Sequence, residues 1–591
     1  MGFREAWTRV ALADLRRAGV RHAVVSPGSR STPLVIAAEQ AGLELHSVID
    51  EREAGFIALG IGKAAGTPAL LLCTSGTAGA HYLPAIIEAR HAGTPLLAMT
   101  ADRPRELHAS GANQTMDQSG LFGSYVLRRA ELSPTEPSRR ALLAVRRSVA
   151  QLAAAAMGPP AGPVHFNVQL RKPLEPQPDD AFQSEAQAIV DTPVPEVTAP
   201  LRPALPPSLI EAVATAKRGI LVCGPGEMGP VDRAPVLELA RRHGWMLLAE
   251  ATSDYRFWAR PGIPTIDAVD TVFRSEAARS LLRPDLVIQL GLTPVSKGYE
   301  QFIERSTVPR AVVHAGPWAD PAGTARWRIV SRAAEFASAA LATIDGPAHE
   351  AVDGGARVIG SPKDWPSLIA ALETTFLEPT GATLSEAGVA SEVVRALSSR
   401  GKGNLVIGNS LIPRTFDVHG VGGGSLHVLH QRGVSGIDGL LSSAAGAALA
   451  TGRPTLLIVG DVSFLHGASG LLFAGTVNTP LAIVVVNNQG GRIFEQLPIA
   501  DQRSESERSL WTTPHQVDLG GLSRSYGVGY RRVMSVPELA AALAAALDTS
   551  GCSVVEATVP PHDAASDADA FRSAFETTLA RGRASSRGAG S

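Results

Sequence analysis

Cysteine is scarce: three in 591 residues, Cys73, Cys223 and Cys552, with no Cys-x-x-Cys pair. That excludes a disulfide framework and a four-thiolate zinc site, and it suits a reducing cytoplasm. An excess of charge of one sign is also lacking. Fifty-four basic and 56 acidic side chains give a formal net charge of −2, so no global field draws the chain to nucleic acid or anionic lipid. No apolar run approaches the ~18–20 residues of a membrane helix, which argues against membrane insertion. The N-terminal stretch interleaves Arg4, Glu5, Arg9, Asp14, Arg16 and Arg17 with apolar positions at helical spacing, and so reads as a first helix rather than a signal peptide.

What is present is length, enough for roughly three or four domains of ordinary size. Two irregular interruptions divide it. Prolines recur from Arg171 to Pro207 (RKPLEPQPDD, then TPVPEVTAPLRPALPP), and DGPAHEAVDGGARVIGSPKDWP runs from Asp345 to Pro366. Such segments favour extended linkers over helix or central strand. They leave three blocks, 1–175, 205–345 and 366–565, and a small, polar, cationic tail, 581–591, expected to be disordered. Within each block, β-branched or leucine-rich runs (TPALLLCTSG, RGILVCGPG, RPTLLIVGD, TPLAIVVVNN) alternate with alanine-rich helical stretches. Runs buried on both faces that end in Gly, Ser, Thr, Asp or Asn indicate parallel sheets wrapped by helices. The fold class is α/β, with three doubly wound parallel-sheet domains.

The first and third blocks share a faint repeat. Pro68 and Pro95 precede two apolar runs 27 residues apart, and Pro454 and Pro480 precede two more 26 apart, each interval long enough for strand, helix and return. Two related sheets facing each other would place a ligand across their junction, at the carboxyl ends of their strands.

The third block carries the strongest chemical signal, LLIVGDVSFLHGASGLLFAGTVNTPLAIVVVNNQGGRIFEQ. Asp461 follows one apolar run and Asn488 the next, 27 residues later, so one crossover brings both oxygen-bearing side chains to the same sheet edge. A carboxylate, an amide oxygen and a backbone carbonyl from the glycines beyond suit Mg²⁺, which keeps waters or phosphate oxygens in its other positions. Two further sites read as anion-binding. SPGSRSTPL opens a helix with Arg30, while Arg414 and Arg432 stand at loop edges, and the guanidinium fork matches carboxylates.

The Gly-Asp…Asn-Asn segment resembles the metal and diphosphate motif of thiamine diphosphate enzymes. The resemblance implies that Asp461, Asn488 and the Gly490 carbonyl hold Mg²⁺ or Mn²⁺ on the cofactor's diphosphate, with Val462 standing where the family often has a small residue. It also implies a carboxyl group against the aminopyrimidine ring, for which Glu51 in DEREAGFIALGIGKA is the candidate. In that family the two halves of the site come from different subunits, so a homodimer is the minimum expectation and a homotetramer an alternative.

With TSGTA, TADRP, GANQTMDQ and RGVSGIDG added in order, blocks one and three look like one branch, the 2-succinyl-5-enolpyruvyl-6-hydroxy-3-cyclohexene-1-carboxylate synthases of menaquinone biosynthesis. That branch implies decarboxylation of 2-oxoglutarate and 1,4-addition of the succinyl carbanion to isochorismate. By motif position, Ser29, Arg30, Asn113, Gln114, Ser410, Arg414 and Arg432 would contact substrate or intermediate, and Gly436 and Ile437 would contact the thiamine, which Ile437 bends. The branch commonly reads HDLNG where this chain has His466-Gly467-Ala468-Ser469-Gly470, so the polar contacts usual at those positions are not expected to carry over unchanged. Two other readings stay open at this point: a different thiamine carboligase or 2-oxo-acid decarboxylase, and a noncatalytic nucleotide-binding protein that keeps the fold.

The middle block holds a strand followed by Gly224-Pro225-Gly226-Glu227-Met228-Gly229, a weak dinucleotide fingerprint, with Glu250 the nearest acidic candidate for a ribose contact. Pro225 is awkward in such a turn. His314 reads as a satisfied core or loop histidine.

Overall fold

The computed structural model describes residues 2–177, 181–193, 203–226, 229–316, 318–344, 361–376, 384–421, 424–561 and 563–588. Three six-stranded parallel sheets form in chain order. The first contains β1 (His22–Val25), β2 (Glu44–Ser47), β3 (Leu70–Cys73), β4 (Leu96–Asp102), β5 (Arg128–Leu132) and β6 (Pro163–Gln169). The second contains β7 (Gly219–Cys223), β8 (Met246–Ala249), β9 (Thr265–Ile266), β10 (Leu286–Leu290), β11 (Arg310–Val313) and β12 (Trp327–Ile329). The third contains β13 (Gly403–Ile407), β14 (Leu426–His430), β15 (Thr455–Gly460), β16 (Leu481–Asn487), β17 (Gly529–Val533) and β18 (Cys552–Thr558).

The repeat read from the prolines is a repeat of topology. The first sheet runs β2-β1-β3-β4-β6-β5 and the third β14-β13-β15-β16-β18-β17, the same order shifted by twelve strands. Pro68 and Pro95 introduce neighbours β3 and β4; Pro454 and Pro480 introduce neighbours β15 and β16. Central strands such as β3, β4 and β13 are buried throughout, which is why they read as unbroken apolar runs.

These two sheets face each other through a helix pair, Glu51–Ala65 against Leu440–Thr451. The backbones meet at two glycines. A Cβ on Gly60 would stand 2.0 Å from the Ser443 carbonyl oxygen, and one on Gly446 would stand 2.2 Å from that of Ile57. One buried cluster consequently runs from Val24 and Leu71 through Ile57 and Ala444 to Leu457 and Val485.

The middle sheet, read from its other edge, runs β9-β8-β7-β10-β11-β12, the doubly wound order that reverses between β7 and β10. Gly224 and Gly226 lie at that reversal, but the crevice is filled. A Cβ on Gly224 would meet the Leu292 carbonyl oxygen at 2.0 Å and one on Gly226 the Asp254 carboxylate at 2.0 Å. The gap that remains is about 10 Å³, about the room one water needs and far less than a diphosphate. Glu227 and Met228 lie outside the described residues, while the Gly229 N–H donates to the Lys63 carbonyl at 2.7 Å, so this loop docks on the first domain.

Three features differ from the linear reading. The proline-rich stretch contains a helix, Gln183–Asp191, whose Ala186 and Ile189 complete the first domain's core. The helix Trp365–Phe376, placed at the head of the third block, packs instead on the middle domain with Phe571 and Phe575 of the helix Asp563–Gly588. That last helix, anchored by Phe575 and Leu579, extends to Gly588, inside the tail expected to be disordered; residues 589–591 lie outside the described residues. Among the described residues no helix is long and apolar enough to cross a membrane.

Candidate active site

The third domain forms one corner. Asp461 follows β15 directly, starts the short helix Asp461–His466 and is 1 % exposed. Its Oδ2 accepts the Gly490 N–H at 2.8 Å and its Oδ1 the Val462 N–H at 2.7 Å, so the loops after β15 and β16 close on each other. Val462 takes part through its backbone N–H. Burial raises the Asp461 carboxyl above its ordinary range while the two N–H groups lower it. Asn488 is buried and its amide donates to Glu386 at 2.8 Å. Gly490 has φ +128°, and a Cβ there would meet the Thr512 carbonyl oxygen at 2.4 Å. His515 approaches Asp461 at 3.4 Å. A buried carboxylate beside an amide and a glycine loop is a hard-oxygen set that fits Mg²⁺ or Mn²⁺, and Gly460 beside it faces open space.

A second corner carries the arginines. Asn409, missed in the sequence although it lies in GNS, donates to the carbonyls of Gln431 at 3.0 Å and Gly436 at 2.6 Å and accepts from Arg432 at 2.9 Å. Arg414 donates to the Ser410 carbonyl at 2.5 Å, and Ser410 holds a left-handed φ of +67°. The two guanidinium groups are near neighbours: burial lowers the pKa of Arg414, and Arg432 lowers it further. Ile437 follows Gly436, half-buried. The loop is fixed from below by Glu88, which accepts the N–H groups of Gly433 and Val434 at 3.1 and 2.8 Å and pairs with buried Lys63 at 2.8 Å.

Arg414 also lines a cavity of about 460 Å³ between the middle and third domains, with Lys297, Glu300, Glu386 and Glu250. Glu250 thus lines this cavity and not the gap at Gly224 and Gly226. It accepts the Val295 N–H at 2.6 Å, and burial pushes its carboxyl up to about 7.

The first domain supplies a third corner at the ends of β1, β3 and β4. Glu51 is the first residue of its helix, half-buried, with Asp50 capping through the Arg52 N–H at 2.9 Å. Ser29 is exposed, and Arg30 is buried and donates to the Leu170 carbonyl at 2.7 Å. Gln114, at φ +56°, donates to the Ser75 carbonyl at 2.9 Å beside the Ser75–Arg103 hydrogen bond, while Asn113 is exposed. Arg103, inside TADRP, was not singled out in the sequence, yet it is charge-coupled to Arg30.

Among the described residues no hydrogen bond or ion pair joins Glu51 to the third domain. That contact is made two residues on, by Glu53, whose carboxylate accepts the hydroxyls of Ser442 at 2.5 Å and Ser469 at 2.7 Å. Ser469 belongs to the departing HGASG segment, so a polar group is retained there. Burial raises the Glu53 carboxyl and the two hydroxyls lower it. His314 is buried, but neither ring nitrogen has a hydrogen-bond partner among the described residues, contrary to a satisfied core histidine. Left-handed φ at non-glycine residues recurs in these loops, at Gln114, Ser410, Ser435 and Gln489, the sparsely populated backbone that clusters at binding sites.

Comparison with known proteins identifies the family of the three domains. The N-terminal TPP binding domain of thiamine pyrophosphate enzymes matches residues 8–121, their middle domain residues 208–405 and their C-terminal TPP binding domain residues 424–557. The 2-succinyl-5-enolpyruvyl-6-hydroxy-3-cyclohexene-1-carboxylate synthase of Sorangium cellulosum is 41% identical over 582 residues, covering 95% of this chain and 93% of the relative. Its namesakes from Geobacillus thermodenitrificans (37%, covering 93% of each chain) and Halobacterium salinarum (36%, covering 93% and 94%) are similar to it as well. The solved 4-hydroxybenzoylformate decarboxylase of Rhodococcus jostii, a thiamine diphosphate-dependent enzyme, shares the fold with TM-score 0.68 at 18% identity, over 94% of this chain and 99% of its own. The chain therefore belongs to the 2-succinyl-5-enolpyruvyl-6-hydroxy-3-cyclohexene-1-carboxylate synthase family of thiamine diphosphate-dependent enzymes.

Proposed function

We propose that this enzyme releases CO₂ from 2-oxoglutarate and joins the remaining four-carbon unit to isochorismate by 1,4-addition, the step of menaquinone biosynthesis for which its relatives are named. Thiamine diphosphate is the cofactor, and it supplies the electron sink that makes loss of CO₂ from a 2-oxo acid feasible. The observation that carries the residue assignment is the Asp461–Gly490 hydrogen bond, which places the Gly-Asp and Asn-Asn-x-Gly-Gly loops against each other at one sheet edge.

Asp461, the Asn488 amide oxygen and the Gly490 carbonyl would hold the divalent ion on the diphosphate. Glu51 would hold a proton against the aminopyrimidine ring, and Gly436 and Ile437 would support the thiamine. Arg414 and Arg432, preset by Ser410 and Asn409, would orient substrate carboxylates, with Ser29, Arg30, Asn113 and Gln114 closing the site from the first domain. Of these residues Arg30, Asp461 and Asn488 are buried, so their contacts are made away from bulk water. As membership of the thiamine diphosphate enzymes implies, we assign the two halves of the site to different subunits of a homodimer, alone or within a homotetramer, in the cytoplasm.

The direct test supplies purified protein with thiamine diphosphate, Mg²⁺, 2-oxoglutarate and isochorismate and follows CO₂ and adduct by mass spectrometry. Stoichiometric loss of both substrates is expected. Turnover of pyruvate with isochorismate untouched would instead indicate a different carboligase or decarboxylase.

A further inference from the structure

At the outer edge of the first sheet, three side chains able to ligate a transition metal converge. His22 opens β1 and Glu44 opens β2, and the two are cross-strand partners; His46 lies two residues beyond Glu44, opposite Val24. Side chains alternate along a strand, so His22, Glu44 and His46 leave the sheet on one face. Nδ1 of His22 is 3.2 Å from Nε2 of His46 and 3.4 Å from Oε2 of Glu44, and one ligand atom from each residue lies within 4.8 Å of the others.

Those spacings have a chemical meaning. With Zn–N and Zn–O bonds of ~2.0–2.2 Å, ligand atoms at the corners of a tetrahedron stand about 3.3–3.6 Å apart. Two of the three edges already meet that within 0.1 Å. The third lies within 4.8 Å, and Glu44, whose side chain is 65 % exposed, is free of packing that would hold it there.

We propose that His22, Glu44 and His46 bind one Zn²⁺-class ion, with three protein ligands and a fourth position open to solvent beside Glu44. Two imidazoles and one carboxylate favour Zn²⁺, Co²⁺ or Ni²⁺ over Mg²⁺, so this site is chemically distinct from the all-oxygen set at Asp461. His22 is buried and His46 half-buried, so both rings are held against the sheet while Glu44 alone of the three is open to solvent. Arg21, the neighbouring cation, is exposed. The ion would clip edge strand β2 to β1. β2 ends at Ser47, four residues before Glu51, and the His46 ring lies edge-on to Phe473 of the third domain at 6.2 Å, so the clip sits where the first and third domains meet.

The experiment uses the full chain saturated with thiamine diphosphate and Mg²⁺, titrated with Zn²⁺ by calorimetry and with Co²⁺ by visible absorption. One equivalent per chain is expected, with the ligand-field bands of four-coordinate Co²⁺ and Zn²⁺ affinity at least ~10-fold weaker in both His46→Ala and Glu44→Gln. No saturable equivalent, or an isotherm unchanged in either variant, overturns the proposal and leaves the pair as a His–His hydrogen bond. Melting curves in EDTA check folding. If His46→Ala disturbs the packing on Phe473, Glu44→Gln, a change at an exposed side chain, decides alone.

Discussion

The Glu53 carboxylate accepts the Ser469 hydroxyl at 2.7 Å, joining the first turn of the helix that begins at Glu51 to the segment that follows Asp461. Replacing Ser469 with Ala leaves one buried carboxylate oxygen without its donor, while Ser442 still serves the other. The expected loss is ~1–3 kcal/mol, read as a lower urea midpoint at unchanged m-value. A midpoint equal to wild type would mean that Glu53 finds a substitute donor.

Asp461→Ala removes a proposed ligand rather than a supporting group. Its metal-dependent binding of thiamine diphosphate should weaken by more than the ~10–100-fold typical of losing an outer-shell partner, whereas Glu386→Gln, which alters the partner of Asn488, should fall inside that range. Calorimetry with Mg²⁺ distinguishes the two. Wild-type affinity in Asp461→Ala would refute the metal assignment.

Glu51→Gln keeps the size of the side chain and removes its acid function. Cofactor binding should persist while hydrogen–deuterium exchange at the thiazolium C2, followed by NMR, slows by roughly 10²–10⁴-fold. An exchange rate equal to wild type would take Glu51 out of the chemistry.

Glu250 gives a pH signature. Its carboxyl is pushed up to about 7 in the folded chain, against an ordinary value near 4.5, so between those values the folded state holds a proton that the unfolded state has released. Its contribution to stability is therefore lost as pH rises from about 4.5 to 7, by at most ~3 kcal/mol. Glu250→Gln should abolish this slope. Subtracting denaturation free energies of variant and wild type across pH 4.5–8 isolates it from the buried histidines, and a flat difference would show that Glu250 ionises normally.

Much of the architecture was legible before any coordinates. The β3–β4 and β15–β16 repeat could be read because two buried parallel neighbours need unbroken apolar runs separated by a helix-length crossover. The contact between the Asp461 and Gly490 loops was legible for the same reason, since one crossover returns both strand ends to one edge. Less visible was the packing of Trp365–Phe376 on the middle domain, because a helix's apolar stripe says that it is buried and not against what.

The amino-acid sequence by itself determined the three parallel sheets and the meeting of the loops after β15 and β16, because each depends on local periodicity or on one strand-to-strand interval. Only the tertiary structure decided that Glu386 meets Asn488 across 102 residues, that Ser469 answers Glu53 across 416, and that His22, Glu44 and His46 converge. Contacts of that kind come from how sheets register and domains dock, and no spacing along the chain encodes them.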